Sequence, residues 1–371
     1  MLIKKIIFSA FSLLIFTSSV QFSYGLDISA ECAVVINAET KEIIYQKNAF
    51  RKHSMASTTK IMTSILAVES GEMSDRVTVT QDALTEGSSI GLKSGCILTL
   101  ESLVYGMMLE SGNDAANACA LYLADDYESF SYMMNLKADE IGMTDTNFVT
   151  PSGLDDTTHY STAYDMALLG AYSISNPIFR EICSEKIHNI RLIKPDIEVT
   201  FSNHNKLLGS CEGVFGIKTG FTKKSGRCLV SACERDGATL VCVTLNAGDD
   251  WNDHRKLYDE AFSELNKVTF KFSDFSRVRV YGSDDDSVGV YCDEYTLHYI
   301  EDSDVTEQVI MPEIIYAPIK SDEIIGKVNY YSGENLIHTS YIYSADDIPA
   351  SEETYKEENS LFDLIRNIFI N

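Results

Sequence analysis

The sequence predicts an α+β protein: an antiparallel sheet with strands from both ends of one domain, a helical middle, and a small all-β domain behind it. Three observations carry this reading. A β-prone hairpin lies near the start, helix-like stretches fill the middle, and three strand runs followed by an amphipathic helix close the first domain. Beyond Lys267 the texture changes to short alternating runs separated by turn clusters.

Met1–Gly25 carries Lys4 and Lys5, an apolar run from Ile6 to Val20, and Ser23-Tyr24-Gly25 at its end. That pattern is a secretory signal peptide. The alternative is an uncleaved membrane anchor, but the run is shorter than the ~20 apolar residues a span needs. The expectation is therefore an exported protein with a first globular domain over 26–267. Within it, Glu31–Ile36 and Glu42–Gln46 form the hairpin. Ser57–Glu69 is a helix with Ile61, Met62, Ile65, Leu66 and Val68 on its apolar side, ended at Gly71. Leu100–Leu109, Asn113–Leu123 and Phe130–Ile141 also have helical spacing, Val214–Thr219, Arg227–Glu234 and Ala238–Asn246 are strands, and Trp251–Asn266 is an amphipathic helix. The all-β domain is placed at 268–345. Residues 346–359 hold four glutamates and two aspartates against one lysine and form an acidic linker. In 360–371, Leu361, Phe362, Leu364, Ile365, Ile368 and Phe369 share one helical arc. So short a helix needs a surface to lie on, either a membrane or the protein's own β-domain.

The chain has 371 residues, with 30 Lys and Arg against 55 Asp and Glu, a net charge of −25. That charge repels phosphate backbones and excludes a nucleic-acid partner. It also opposes anionic lipid except through an apolar element. The nine cysteines are odd in number and include no Cys-x-x-Cys. Cys228 and Cys242 lie in apolar strand runs as small buried hydrophobes, and no disulfide is expected. The seven histidines show no ligand spacing, so neither metal nor other cofactor is expected, and His159 belongs to a packed loop.

Three short motifs carry chemistry. Ser57-Thr58-Thr59-Lys60 is the only Ser-x-x-Lys in the chain and puts an amine one helical turn from a hydroxyl. A lysine of lowered pKa can take the serine's proton and make it a nucleophile. Ser111-Gly112-Asn113 offers a second hydroxyl to relay a proton and an amide to hold a peptide group. Lys218-Thr219-Gly220, on a predicted strand, offers a carboxylate-binding pair beside a glycine that admits a substrate backbone. Each motif alone has a bland reading as cap, turn or solvated edge charge. Their occurrence together and in this order is the signal.

With these residues in place, the chain resembles the low-molecular-mass penicillin-binding proteins that act as serine-type D-alanyl-D-alanine carboxypeptidases. The resemblance covers residues 31–345. It rests on Met55–Thr63, Ser111-Gly112-Asn113, the loop from Asn147 through Gly153-Leu154 to His159–Ala163, Ile217–Thr222, and Ala317–Lys320 with Gly326–Val328. The last segment, 360–371, is similar to the family's membrane-anchoring helix. The resemblance implies the β-lactamase and penicillin-binding-protein fold, stem peptides ending in D-Ala-D-Ala as substrate, β-lactams as covalent inhibitors, and an acyl-enzyme. It implies Ser57 as nucleophile, Lys60 as base, Ser111 as proton relay and Asn113 as a substrate-amide holder. Lys218 and Thr219 would grip the terminal carboxylate, Lys218 would keep Lys60 neutral, and the Ser57 and Phe221 N–H groups would form the oxyanion hole. Two departures put further carboxylate contacts in doubt: Phe221 stands where some relatives carry histidine, and Asn203-His204-Asn205 where some carry arginine between asparagines.

Three rival functions remain at this stage. A β-lactamase needs a deacylating glutamate, and the nearest match to Glu-x-x-Leu-Asn, Glu185–Asn189, lacks the leucine and reads as surface strand or loop. A D,D-endopeptidase or transpeptidase would use the same motifs on another bond. A non-catalytic wall-binding protein need not keep Ser57, Lys60 and Lys218.

Overall fold

In the computed structural model, residues 26–270, 277–300, 305–333 and 335–351 are described. The expected signal peptide, most of the acidic linker and the amphipathic stretch 360–371 lie outside the described residues.

The first domain is built on one five-stranded antiparallel sheet. Its N-terminal hairpin is β1 (Cys32–Asn37) and β2 (Ile43–Lys47). A 3₁₀ turn, Ala56–Thr59, then leads into helix α1 (Lys60–Glu69). A small hairpin, β3 (Arg76–Thr78) and β4 (Ile97–Thr99), precedes α2 (Leu100–Leu109) and α3 (Asn113–Leu123). The helical layer is completed by α4 (Tyr127–Ile141), α5 (Ala163–Ser175) and α6 (Pro177–Ser184). A second small hairpin pairs β5 (Ile187–Leu192) with β6 (Ile197–Ser202). Strands β7 (Val214–Thr222), β8 (Gly226–Arg235) and β9 (Ala238–Ala247) finish the sheet, and α7 (Asp250–Ser263) covers it.

The strand order is β2-β1-β9-β8-β7, so N-terminal β1 pairs with β9 and β7 lies at an edge. Both faces of the sheet are buried. Cys32, Val34 and Ile36 of β1, with Val230, Val241 and Val243, face the helical layer. Ala33, Val35, Leu229, Leu240 and Cys242 face Leu257, Tyr258 and Ala261 of α7. Strands buried on both sides read as near-continuous apolar runs rather than as alternation. This is the form in which β1, β8 and β9 stand out in the sequence.

The helices begin where side chains accept orphan N–H groups. Thr99 caps α2 through Ser102 N, Asp126 caps α4 through Ser129 N, Thr162 caps α5 through Asp165 N, and Asn176 caps α6 with Pro177 in its first turn. These caps explain two differences from the sequence expectations. Helix α4 starts three residues earlier than Phe130, behind Asp126. Helices α5 and α6, unassigned from periodicity, start at their caps. Two further corrections concern ends. Helix α7 stops at Ser263, and Asn266 opens a strand instead of closing the helix. Ser57 sits in the 3₁₀ turn ahead of α1, not in the α-helix itself.

The second domain is all β. Strands β10 (Asn266–Phe270) and β13 (Tyr295–Tyr299) form a ribbon. The other six are β11 (Arg277–Tyr281), β12 (Ser287–Cys292), β14 (Val305–Ile310), β15 (Ile314–Tyr316), β16 (Ile324–Ser332) and β17 (Asn335–Ser344). They form a sheet ordered β14-β16-β17-β12-β11-β15. β14 and β15 were not foreseen, because β14 is almost wholly exposed and lacks the apolar alternation that marks a strand. The domains touch through Asn37 Nδ2, which donates to His298 O at 2.8 Å, and Tyr295 OH, which donates to Glu39 at 2.7 Å. All nine thiols are free, and every one but the half-buried Cys292 is buried.

Candidate active site

Four chain segments meet where the three motifs converge. The nucleophile turn is tight. Ala56, just before Ser57, has φ +49°, a left-handed value that costs a residue with a side chain roughly 1 kcal/mol. The turn is held by Thr58, whose Oγ1 donates to Met55 O at 2.6 Å. From beneath, Gly153 presses on it: at φ +83°, a Cβ there would lie 1.9 Å from Ala56 O. Only glycine fits that contact. From the side, a Cβ on Gly220 would come within 3.0 Å of Ser57 N and 3.1 Å of Ala56 Cβ. The glycine of the third motif therefore makes room for the nucleophile turn, in addition to the substrate backbone anticipated from sequence.

Ser57 is half-buried and Lys60, the first residue of α1, is fully buried. Lys60 Nζ lies 2.8 Å from Ser57 Oγ, 2.8 Å from Asn113 Oδ1 and 2.6 Å from Ser152 O. Burial drives the Lys60 pKa well below the usual lysine range, and the charge of nearby Lys218 pushes the same way, with Asp114 opposing. A neutral amine has two hydrogens and one lone pair. Asn113 Oδ1 and the Ser152 carbonyl can only accept, so they take the two hydrogens. The lone pair is left for the Ser57 hydroxyl, which makes Lys60 a base aimed at one proton.

Asn113 is thus tied to Lys60 through its oxygen, while its Nδ2 donates to Glu86 O at 2.9 Å. Ser111 is buried, with φ +62°, in the turn between α2 and α3. Asp114, which the motif reading passed over, is 1% exposed. It accepts from Ser89 Oγ at 2.6 Å and from the Ile90 and Leu92 N–H groups at 3.0 Å each, pinning the loop over the second motif. The signal for it was its place beside Asn113 in the same motif. Ser152, Pro151 and Gly153 act through backbone and shape, for which a sequence carries little signal; Thr63 Oγ1 donates to Pro151 O at 2.6 Å.

Lys218 and Thr219 stand on edge strand β7. Lys218 is 1% exposed, so it is no solvated edge charge; burial lowers its pKa to about 7, with Glu110 pulling back upward. Phe221 is exposed and Thr219 half-buried. The Asn203–Asn205 segment joins the end of α2, just ahead of the second motif, to this strand: His204 N donates to Leu109 O at 3.3 Å, and Asn205 Nδ2 to Gly216 O at 3.0 Å. His159 is packed as expected. Its Nδ1 accepts from Val149 N at 2.9 Å, its Nε2 lies 2.8 Å from Thr59 Oγ1, and burial lowers its pKa to about 4. Among the described residues no cluster could hold a metal ion. Glu185 sits at the junction of α6 and β5, its carbonyl taken by Asn203 at 2.9 Å, and no described contact joins it to Ser57 or Lys60.

This constellation can be set beside known proteins. The family profile for D-alanyl-D-alanine carboxypeptidase matches residues 17–249. The chain belongs to that family. A second profile, the C-terminal domain of penicillin-binding protein 5, matches residues 264–350. Among characterised D-alanyl-D-alanine carboxypeptidases, the chain is 31% identical to DacC of Escherichia coli over 82% of its length and 80% of that protein's. It is 28% identical to DacF of Bacillus subtilis over 86% of both. The fold is similar to penicillin binding protein 5 from Haemophilus influenzae, with TM-score 0.62 and 26% identity over 88% of this chain and 99% of that one. It is also similar to a Streptomyces DD-transpeptidase, with TM-score 0.61 and 28% identity over 64% of this chain and 98% of that one. The first profile covers the α+β sheet domain and the second the all-β domain behind it.

Proposed function

We propose that the chain is a serine-type carboxypeptidase that trims the terminal D-alanine from peptidoglycan stem peptides ending in D-Ala-D-Ala, through an acyl-enzyme on Ser57. The observation that carries this reading is the buried Lys60 amine, held by two carbonyl oxygens with its lone pair left for Ser57. Ser57 Oγ attacks the carbonyl of the penultimate D-alanine as Lys60 takes its proton. The oxyanion is received by the Ser57 and Phe221 N–H groups; the close packing of Gly220 of β7 on Ser57 N supports this reading. Ser111 passes a proton to the departing D-alanine amine. Water, with Lys60 again as base, then frees the shortened peptide and restores Ser57. Asn113 steadies Lys60 and offers its remaining N–H to a substrate amide, and Lys218 with Thr219 receives the terminal carboxylate. Penicillin enters the same acylation. Among the described residues no glutamate is bonded to Ser57 or Lys60, so the reading favoured over a β-lactamase is a penicillin-sensitive peptidase.

The test is mass spectrometry of the protein incubated with a D-Ala-D-Ala peptide, with and without penicillin. Release of one D-alanine, blocked by a penicilloyl adduct on the Ser57 peptide, supports the reading. Cleavage at an internal cross-link instead would make the protein an endopeptidase.

Lys218 gives a sharper check on substrate polarity. Lys218→Ala is expected to lose more kcat/KM on free-acid peptides than on amidated ones, because only the former present a carboxylate. Equal loss on both would leave Lys218 only its electrostatic effect on Lys60.

Export through 1–25 and attachment to the outer face of a membrane through 360–371 are part of the same proposal. Among the described residues no helix is long and apolar enough to cross a membrane. Truncation after Glu358 is expected to move the protein from the membrane fraction to the soluble one with peptide activity unchanged. A full-length protein already wholly soluble would show that the segment has no anchoring role.

A further inference from the structure

The geometry of β7 also points to a residue that selects the substrate, an inference that rests on the reaction proposed above. The terminal carboxylate is placed at Lys218 and Thr219, and Ser57 stands against Gly220. A stem peptide lying along this open edge must therefore run past Phe221 and Thr222, antiparallel to the strand. At about 3.3 Å per residue, the amino acid before the two D-alanines comes abreast of Thr222. In stem peptides that position holds a diamino acid, whose side-chain amine is the point of cross-linking.

At that place the structure puts a carboxylate. Asp155 Oδ1 accepts from Thr222 Oγ1 at 3.0 Å and lies 3.4 Å from Ser54 Oγ. Thr222 is held in turn by Ser225, whose hydroxyl is 2.6 Å away and whose N–H donates to it at 3.0 Å. Asp155 follows Gly153 and Leu154, and Gly153 is wedged under Ala56, so its position is fixed relative to the nucleophile turn. The side chain is exposed and makes no ion pair among the described residues. Two lysines follow Thr222; Lys223 makes no ion pair with Asp155 among the described residues, and Lys224 is turned to the Asp156 carbonyl at 3.0 Å. We propose that Asp155 pairs with the free side-chain amine of the residue preceding D-Ala-D-Ala, and so selects stem peptides not yet cross-linked at that amine.

The test compares Nα-acetyl-L-Lys-D-Ala-D-Ala with its Nα,Nε-diacetyl analogue on the wild type and on Asp155→Asn, which keeps an oxygen for Thr222. The wild type is expected to favour the free amine about fivefold in kcat/KM, mostly through KM, close to 1 kcal/mol at 1.4 kcal/mol per tenfold. The preference should shrink with added salt. Asp155→Asn is expected to cleave both peptides equally, at the wild-type rate on the diacetyl peptide. A wild type indifferent to acetylation, or a variant that keeps the preference, overturns the role of Asp155 alone. No D-alanine from either peptide would overturn the reaction itself and this role with it.

Discussion

Ser57→Ala is expected to abolish the release of D-alanine and covalent capture of penicillin, leaving the fold intact. Ser57 supplies the oxygen that becomes the ester, and Lys60 is built around that single hydroxyl. With the oxygen gone, the amine keeps its two carbonyl partners, Asn113 Oδ1 and Ser152 O, so the site does not collapse. Residual hydrolysis could come only from water and the binding groups. The fall in kcat/KM is therefore expected to be ~10⁴-fold or more. Because the change removes one half-buried hydroxyl, stability should move by no more than about 1 kcal/mol. Intact-mass measurement after incubation with penicillin checks it. An adduct that persists on the variant and maps to another residue would take the nucleophile's role away from Ser57.

Lys218→Met is expected to make the protein more stable at neutral pH while removing its grip on free-acid peptides. The sign follows from the proton balance. In the unfolded chain a lysine titrates near 10.4, whereas in the fold Lys218 is held at about 7 by burial. Between those values the unfolded chain binds more protons than the native one, so stability rises with pH across the window. The cost of burying the lysine is therefore absent above pH 10.4, grows as pH falls, and levels off below 7. At pH 7 it is on the order of 4 kcal/mol. Methionine fills a similar space without charge. The expected gain is roughly 10 °C in Tm at pH 7, fading toward pH 10. A melting temperature unchanged or lower at pH 7 would show that Lys218 is stabilised by its surroundings rather than strained by them. Lys60, depressed for the same reason, adds to the same trend with pH.

These two lysines show where the sequence was informative and where it was not. The spacing Ser57 to Lys60 is local, so its geometry could be read directly, and the structure returns it at 2.8 Å. The sheet strands were equally legible, since β1, β8 and β9 are long apolar runs covered on both faces. What could not be read was burial set by distant segments. Lys218 looks like an edge-strand charge until the fold buries it to 1% exposure, with Asn205 bonded to Gly216 on the same strand. Asn113 looks like a free substrate hook until Lys60 is found on its oxygen. Ser152 and Asp155 contribute through a loop about 95 residues beyond Ser57, a separation no local pattern spans. Helix α5 escaped for another reason: it is buried on most sides, and an all-round apolar helix has no period to detect, whereas α6 is one-sided, burying Phe179, Ile182 and Cys183, but only eight residues long.

The pairing of β1 with β9 also bears on when the nucleophile turn is complete. A chain made from its N-terminus carries Cys32–Asn37 for about 200 residues before Ala238–Ala247 exists to receive it. The turn that holds Ser57 leans on Gly220, and that strand has its own partner only in β8. Two supports of the nucleophile turn thus arrive well after Ser57 itself, Gly153 from its loop and Gly220 from the last third of the first domain. A partly synthesised chain contains the serine and lysine of the first motif without the strand on which Ser57 leans. The turn has its full set of contacts only once the sheet is closed by β1 on β9 and β7 on β8.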